Sequence, residues 1–183
     1  MKKLLLLLLC CALLTGAVGC GKNPAATNPN DPSIPEESGP PQYVVDPMIN
    51  QFIIDFNQQT RYTLAGLAQK GDLSCTATID HCQLTITATK HGLYFTLTGG
   101  NEEAQRDRML DVFYSVAQVA DPTFTDAQAQ TTVDFLKAQT TTVTNRKAGP
   151  YVVVNSYVPI IETNNVRVAC RMDFTSSYYL SEE

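Results

Sequence analysis

SCTATIDHCQLTITATKHGLYFTLTGG, residues 74–100, is three runs of alternating apolar and polar residues divided by two short turns. If Asp80-His81 form a two-residue turn, Ile79 faces Cys82, and paired positions on the first two strands sum to 161. If His91-Gly92 form the second turn, Lys90 faces Leu93 and the sum becomes 183. Cys75, Ala77, Ile79, Cys82, Leu84, Ile86, Ala88, Phe95 and Leu97 then share one face, and none of them is charged. A slip of one residue would scatter this set to both faces. The agreement of two turns therefore predicts an antiparallel meander with that face inward.

The opposite face carries two rows of hydroxyls, Ser74, Thr87 and Thr96 in one and Thr76, Thr85 and Thr98 in the other. Flat Thr-x-Thr arrays resemble the ice-contacting faces of some antifreeze proteins, and polar sheet faces also bind glycans. The plainer reading is a solvated face, because threonine is favoured on half-exposed strands.

Helices flank the meander. Asp46-Pro47 combines a capping residue with proline at the first helical position, and Met48, Ile49, Phe52, Ile53 and Phe56 follow at helical spacing. After Gly99-Gly100, Asn101 is the expected cap of a second helix, with Glu102 and Glu103 in the first turn where the dipole favours acids. Its apolar stripe is Met109, Leu110, Phe113, Val116, Ala117 and Ala120, and Asp121-Pro122 ends it. Thr125 and Gln128 form a capping box for a third helix, with Ala129, Val133 and Leu136 inward and an end near Ala138.

Three strands are expected afterwards, over residues 140–146, 151–161 and 166–174. In the last, Val166, Val168, Cys170, Met172 and Phe174 should face the core and Arg167, Arg171 and Asp173 the solvent. In the middle one Val152, Val154, Val158 and Ile160 form one apolar set. Tyr151, Val153, Tyr157 and Ile161 make the other face apolar too. A helix or loop is the simplest cover for that second face. Tyr151, Val153 and Tyr157, extended by Tyr178 and Tyr179, are the candidate interaction surface.

The chain opens with MKKLLLLLLCCALLTGAVGC. Two lysines precede an apolar run, Leu4 to Leu14, that is shorter than the ~20 residues a bilayer requires, and small residues follow. Ala17-Val18-Gly19-Cys20 resembles the lipobox of bacterial lipoprotein precursors, with Ala17 where leucine is preferred. That resemblance implies removal of residues 1–19 and diacylglyceryl attachment, with palmitate-type chains, to Cys20. Two acyl chains suffice for stable anchoring. The competing reading is an ordinary signal peptide or an uncleaved anchor. Residues 21–47 hold seven of the ten prolines, and with Asn, Ser and Gly among them they read as a disordered tether over 20–45. A single domain is expected over 46–183.

Loss of the leader takes the formal charge from −5 to −7, an acidic balance that excludes a nucleic-acid footprint. Cys75, Cys82 and Cys170 are an odd set, leaving open a disulfide of Cys75 or Cys82 with Cys170 or three buried thiols. His81-Cys82 are neighbours whose side chains point to opposite faces of a strand, unsuited to a thiol-imidazole dyad. His81 and His91 are read as turn-tip residues. A zinc site from Cys75, His81, Cys82 and His91 lacks the usual Cys-x-x-Cys spacing. Gly99-Gly100 is the nearest approach to an anion-binding loop, with Glu102 and Glu103 against it.

MINQFIIDFN (residues 48–57), Gly99-Gly100 and MLDVF (residues 109–113) are similar to stretches of small uncharacterised lipoproteins of anaerobic gram-positive bacteria, a group that implies no activity. The expectation is an α+β domain of order α-β-β-β-α-α-β-β-β, its antiparallel sheet or sheets covered by helices. Its role is that of an envelope lipoprotein on the extracytoplasmic face of the cell membrane. It binds a protein or glycan partner without catalysis, cofactor or metal. An enzyme or enzyme inhibitor acting on wall or extracellular substrates is the alternative.

Overall fold

Asp80 and His81 both adopt left-handed backbone angles, with φ of +43° and +65°. That is the mirror-image turn whose twist matches the strands it joins. It sets Ser74 opposite Thr87 and Ile79 opposite Cys82, a sum of 161 throughout, as the sequence predicts. A computed structural model of the chain describes residues 41–100, 102–159, 162–163, 166–167 and 169–180. All of them fall within one compact unit, Pro40–Glu183.

Strands β1 (Ala68–Gln69), β2 (Ser74–Ile79), β3 (Cys82–Thr89) and β4 (Gly92–Gly99) follow helix α1 (Pro47–Gln59). Helices α2 (Glu103–Ala120) and α3 (Asp126–Lys137) come next. Then come β5 (Val143–Lys147), β6 (Val152–Val158), β7 (Glu162–Thr163), β8 (Val166–Arg167), β9 (Cys170–Ser176) and a 3-10 turn at Tyr178–Leu180. Seven strands form one antiparallel sheet in the order β1-β2-β3-β4-β9-β6-β5, and β7 and β8 pair separately. The class is α+β.

The second turn corrects the expectation. Lys90 and His91 occupy it, Thr89 faces Gly92, and pairs on β3 and β4 sum to 181 rather than 183. The Thr89 hydroxyl accepts from the His91 amide at 3.1 Å and donates to the Gly92 carbonyl at 2.8 Å. Gly92 itself has φ of +108°, and a Cβ there would lie 2.1 Å from the Ser176 carbonyl oxygen, so the position needs glycine. A shift of two preserves every face, because side chains alternate with period two. All nine predicted core residues are buried, joined by Leu93. The hydroxyl rows change partners, Ser74 and Thr87 now aligning with Tyr94, and Thr76 and Thr85 with Thr96.

The helices pack on the apolar face. Asp46 caps α1, its Oδ1 accepting from the Ile49 amide at 2.9 Å, and Ile49, Phe52, Ile53 and Phe56 are buried as expected. Phe95 on β4 and Phe174 on β9 are directly paired and stack at 4.8 Å. Phe52 from α1 and Phe113 from α2 each close on that pair at 5.0 Å. Each such ring removes enough apolar surface from water to be worth about 2–3 kcal/mol. Glu102 takes the cap position of α2 with no side-chain bond, so the helix starts one residue later than expected; Asn101 lies outside the described residues. Thr125 and Gln128 close the predicted box on α3, which packs against α2.

In β6, Val154 pairs with Phe174 but Ser156 pairs with Asp173, leaving Asn155 as a bulge. Across from it, Asn145 of β5 falls out of the ladder with φ of +51°. The extra residue reverses the inward-outward alternation. Tyr157 therefore joins Val152 and Val154 in the core, opposite Met172, and Val158 moves to the open face. The strand expected over 166–174 is divided into β8 and β9, with Cys170, Met172 and Phe174 buried and Arg171 exposed as predicted. Asp173 shares the open face with Arg171 but is buried there. Ile160, Ile161 and Val168 lie outside the described residues.

Candidate functional site

Cys20 lies outside the described residues. Of the proposed interaction surface, Tyr157 is fully buried by the β6 bulge and Val153 is half-buried on the open face of the sheet. Tyr151 precedes β6, 38% exposed, with its amide donating to Asp121 Oδ2 at 2.9 Å and its ring edge-on to Tyr178. These three residues do not form one surface, because the bulge sends the third to the opposite side.

Cys75, Cys82 and Cys170 are free and buried. The register of β3, β4 and β9 puts Cys82, Gly99 and Cys170 side by side on the core face. The Cys170 sulfur lies over Gly99, 3.5 Å from Met109 Sδ and from the Gly100 carbonyl oxygen. A strand separates Cys82 from Cys170, and two strand spacings of ~4.8 Å exceed the ~7 Å Cα separation a disulfide tolerates. Burial pushes the Cys75 thiol up to about 11 and does the same, with a contribution from nearby Cys170, to Cys82. His81 is exposed at its turn while Cys82 points into the core, so the pair forms no dyad. His91 sits at the other end of β3. No group of three or more His, Cys, Asp or Glu side chains that could hold a metal ion occurs among the described residues. At Gly100 the Gln105 side chain folds over the backbone, occupying the space a Cβ would take.

The open face is organised around Asp173. Its carboxylate accepts from Thr96 Oγ1 at 2.7 Å, Ser156 Oγ at 3.0 Å, and Arg171 through Nε and Nη2 at 2.9 Å each. Burial raises this carboxyl, but the hydrogen bonds from Arg171, Thr96 and Ser156 outweigh it and leave the group below the usual carboxylate range. Burial, and then the charge of Asp173, raises the Tyr94 phenol. Ser74 bonds Thr87 and Thr76 bonds Thr85 across β2 and β3, so much of the hydroxyl array is turned on itself.

A concave feature lies on the helical side. A cleft of about 770 Å³ runs between the end of α1, the outer face of α2 and the turn into α3. On α2 it is walled by Asp111, Tyr114, Ser115 and Gln118 at helical spacing, with Val119 beneath. Pro122, Phe124 and Asp126 close one end, and Gln59, Thr60 and Arg61 the other. Gln118 donates an amide hydrogen to Asp126. Burial raises the Tyr114 phenol, and the Asp126 carboxylate raises it further. Arg61 bonds the Tyr62 hydroxyl at 2.9 Å and lies over that ring; this bond first, and then the charges of Tyr62 and Asp111, favours its protonated form. The buried stripe of α2 does not mark this cleft. The polar stripe Asp111, Tyr114, Ser115, Gln118 beside it was the available signal.

Compared with known proteins, the chain matches no family model, no curated protein and no solved structure.

Proposed function

We propose that the protein is a lipoprotein of the cell envelope. A diacylglyceryl group on Cys20 holds it to the extracytoplasmic face of the membrane, and its α+β domain binds a ligand in the cleft between the helices. The observation that carries the binding role is the contrast between the two sides of the core. The three thiols, the strongest nucleophiles in the domain, are sealed in it and kept protonated, whereas a cleft of ligand size is lined by polar side chains. No described helix is long and apolar enough to cross a membrane, and the anchor proposed needs none. Cys20→Ser tests the anchoring: acyl labelling should disappear and the protein should leave the membrane fraction. Labelling that survives the substitution overturns it.

A further inference from the structure

We infer that the cleft between α1, α2 and the α2–α3 turn is a saccharide site that takes a short neutral oligosaccharide. The inference rests on the reading of this domain as a binding module and adds the class of ligand.

Charge sets the first limit. The carboxylates of Asp111 and Asp126 face the single cation Arg61, in a chain of formal charge −5. A phosphate or sulfate would meet more repulsion than attraction here. A cation would meet Arg61 in the same cleft and find Asp126 already bonded by the Gln118 amide. The ligand that fits is neutral.

Hydrogen-bonding capacity sets the second. Gln59, Gln118 and Gln130 offer amides and Tyr114 and Ser115 offer hydroxyls, with one Gln130 hydrogen already on Asp134, the Ser115 proton on the Asp111 carbonyl and the Thr60 hydroxyl spent on the Tyr62 backbone. The Gln118–Asp126 bond uses one of two amide hydrogens, and the Tyr114 hydroxyl shares this pair, so an amide hydrogen and carboxylate lone pairs remain for a ligand. Adjacent amide and carboxylate groups suit vicinal hydroxyls, each of which gives one hydrogen bond and takes another. Val119, Pro122 and Phe124 supply a small apolar floor, enough for the C–H face of a sugar ring and too little for a lipid or a steroid-like ligand.

Wall construction separates a sugar from a peptide. Peptides are held through main-chain pairing at a strand edge or through apolar anchors in a groove. The long wall here is α2, whose backbone groups bond within the helix, and at the turns Thr125 caps the Gln128 amide while the Thr60 hydroxyl holds the Tyr62 amide. Side-chain amides and hydroxyls remain as the recognition elements.

The test is calorimetric titration of the lipidated protein, residues 20–183, in nanodiscs with three probes: tetra-N-acetylchitotetraose, cellotetraose and maltotetraose. Acetyl-tetraalanine-amide and pyrophosphate serve as comparisons. Saturable binding of at least one tetrasaccharide is expected, weakened roughly tenfold or more by Gln118→Ala and by Asp126→Asn and unchanged by Thr85→Ala on the open sheet face. Ser115→Trp, on the exposed side of α2, should fill the cleft and abolish binding while leaving the melting curve intact. Failure of all three sugars at millimolar concentration overturns the inference. So does sugar binding that ignores Gln118→Ala and Ser115→Trp. Binding of the capped peptide or of pyrophosphate that Ser115→Trp abolishes, without sugar binding, overturns the saccharide class and leaves the binding-module reading standing.

Discussion

Thr96 on β4 and Asp173 on β9 stand directly opposite each other, and the threonine hydroxyl donates to the carboxylate at 2.7 Å. With Ser156 of β6 on its other oxygen, Asp173 ties together three consecutive strands. Asp173→Ala should cost about 2–3 kcal/mol in urea unfolding, since several charge-assisted bonds are lost at one buried site. The pH dependence has a definite sign. A carboxyl held below its ordinary value contributes stability above about pH 4, lost as pH falls toward its folded value. Unfolding curves of the wild type between pH 6 and about pH 3 should therefore fall more steeply than those of Asp173→Asn.

Gly99 is constrained by sulfur. A Cβ there would sit 2.9 Å from Cys170 Sγ and 3.4 Å from Met109 Cβ. Gly99→Ala should destabilise by about 1–2 kcal/mol through overpacking. Cys170→Ala makes room, so the double variant should recover at least half of that loss. A thermodynamic cycle that shows no coupling would remove the sulfur as the cause.

The thiols should behave as core groups. In folded protein near pH 8, maleimide should modify Cys75, Cys82 and Cys170 slowly, with full reaction in urea. For Cys75 and Cys82, a rise from 9.0 to about 11 cuts the thiolate fraction roughly a hundredfold. Raised thiol values also mean that stability is complete below pH 9 and declines as pH climbs toward about 11. Replacing Cys75 with alanine should flatten that alkaline decline.

Adjacent residues on β3 should respond oppositely to the same charge. Leu84 is fully buried, and Leu84→Asp should unfold the domain. Thr85 lies on the open face, and Thr85→Asp should cost no more than about 1 kcal/mol as judged by the denaturation midpoint.

The β2–β3 register was legible to the residue because Asp80-His81 is a turn with one geometry to offer. At the next turn the sequence suggests a glycine inside the loop, whereas Gly92 begins β4 and lets the Ser176 backbone approach. That error was harmless to the faces. A single bulged residue, Asn155, was not harmless: it reversed the alternation in β6 and converted Tyr157 from a surface candidate into core. Nothing in VVVNSYV marks the bulge, since Asn145, its counterpart, arrives from another strand. The cleft was out of reach for a related reason. It joins Arg61, Gln118 and Asp126 from three elements, and local periodicity carries no information about how helices lie beside one another.

Strand β9 lies between β4 and β6, although it follows both in sequence and is the last of the described strands. Synthesis from the N-terminus therefore produces two separate half-sheets, β1–β4 and β5–β6, whose shared seam stays open until residues 170–176 have emerged. Closure of that seam joins residues far apart in sequence, Phe95 to Phe174 among them, and contacts of this span are slow to form. A chain stopped before Cys170 would expose an unpaired edge on β4 and another on β6. Such truncations should be degraded or aggregate rather than persist as smaller folded species. The fold thus depends on residues 170–176 to join its two half-sheets.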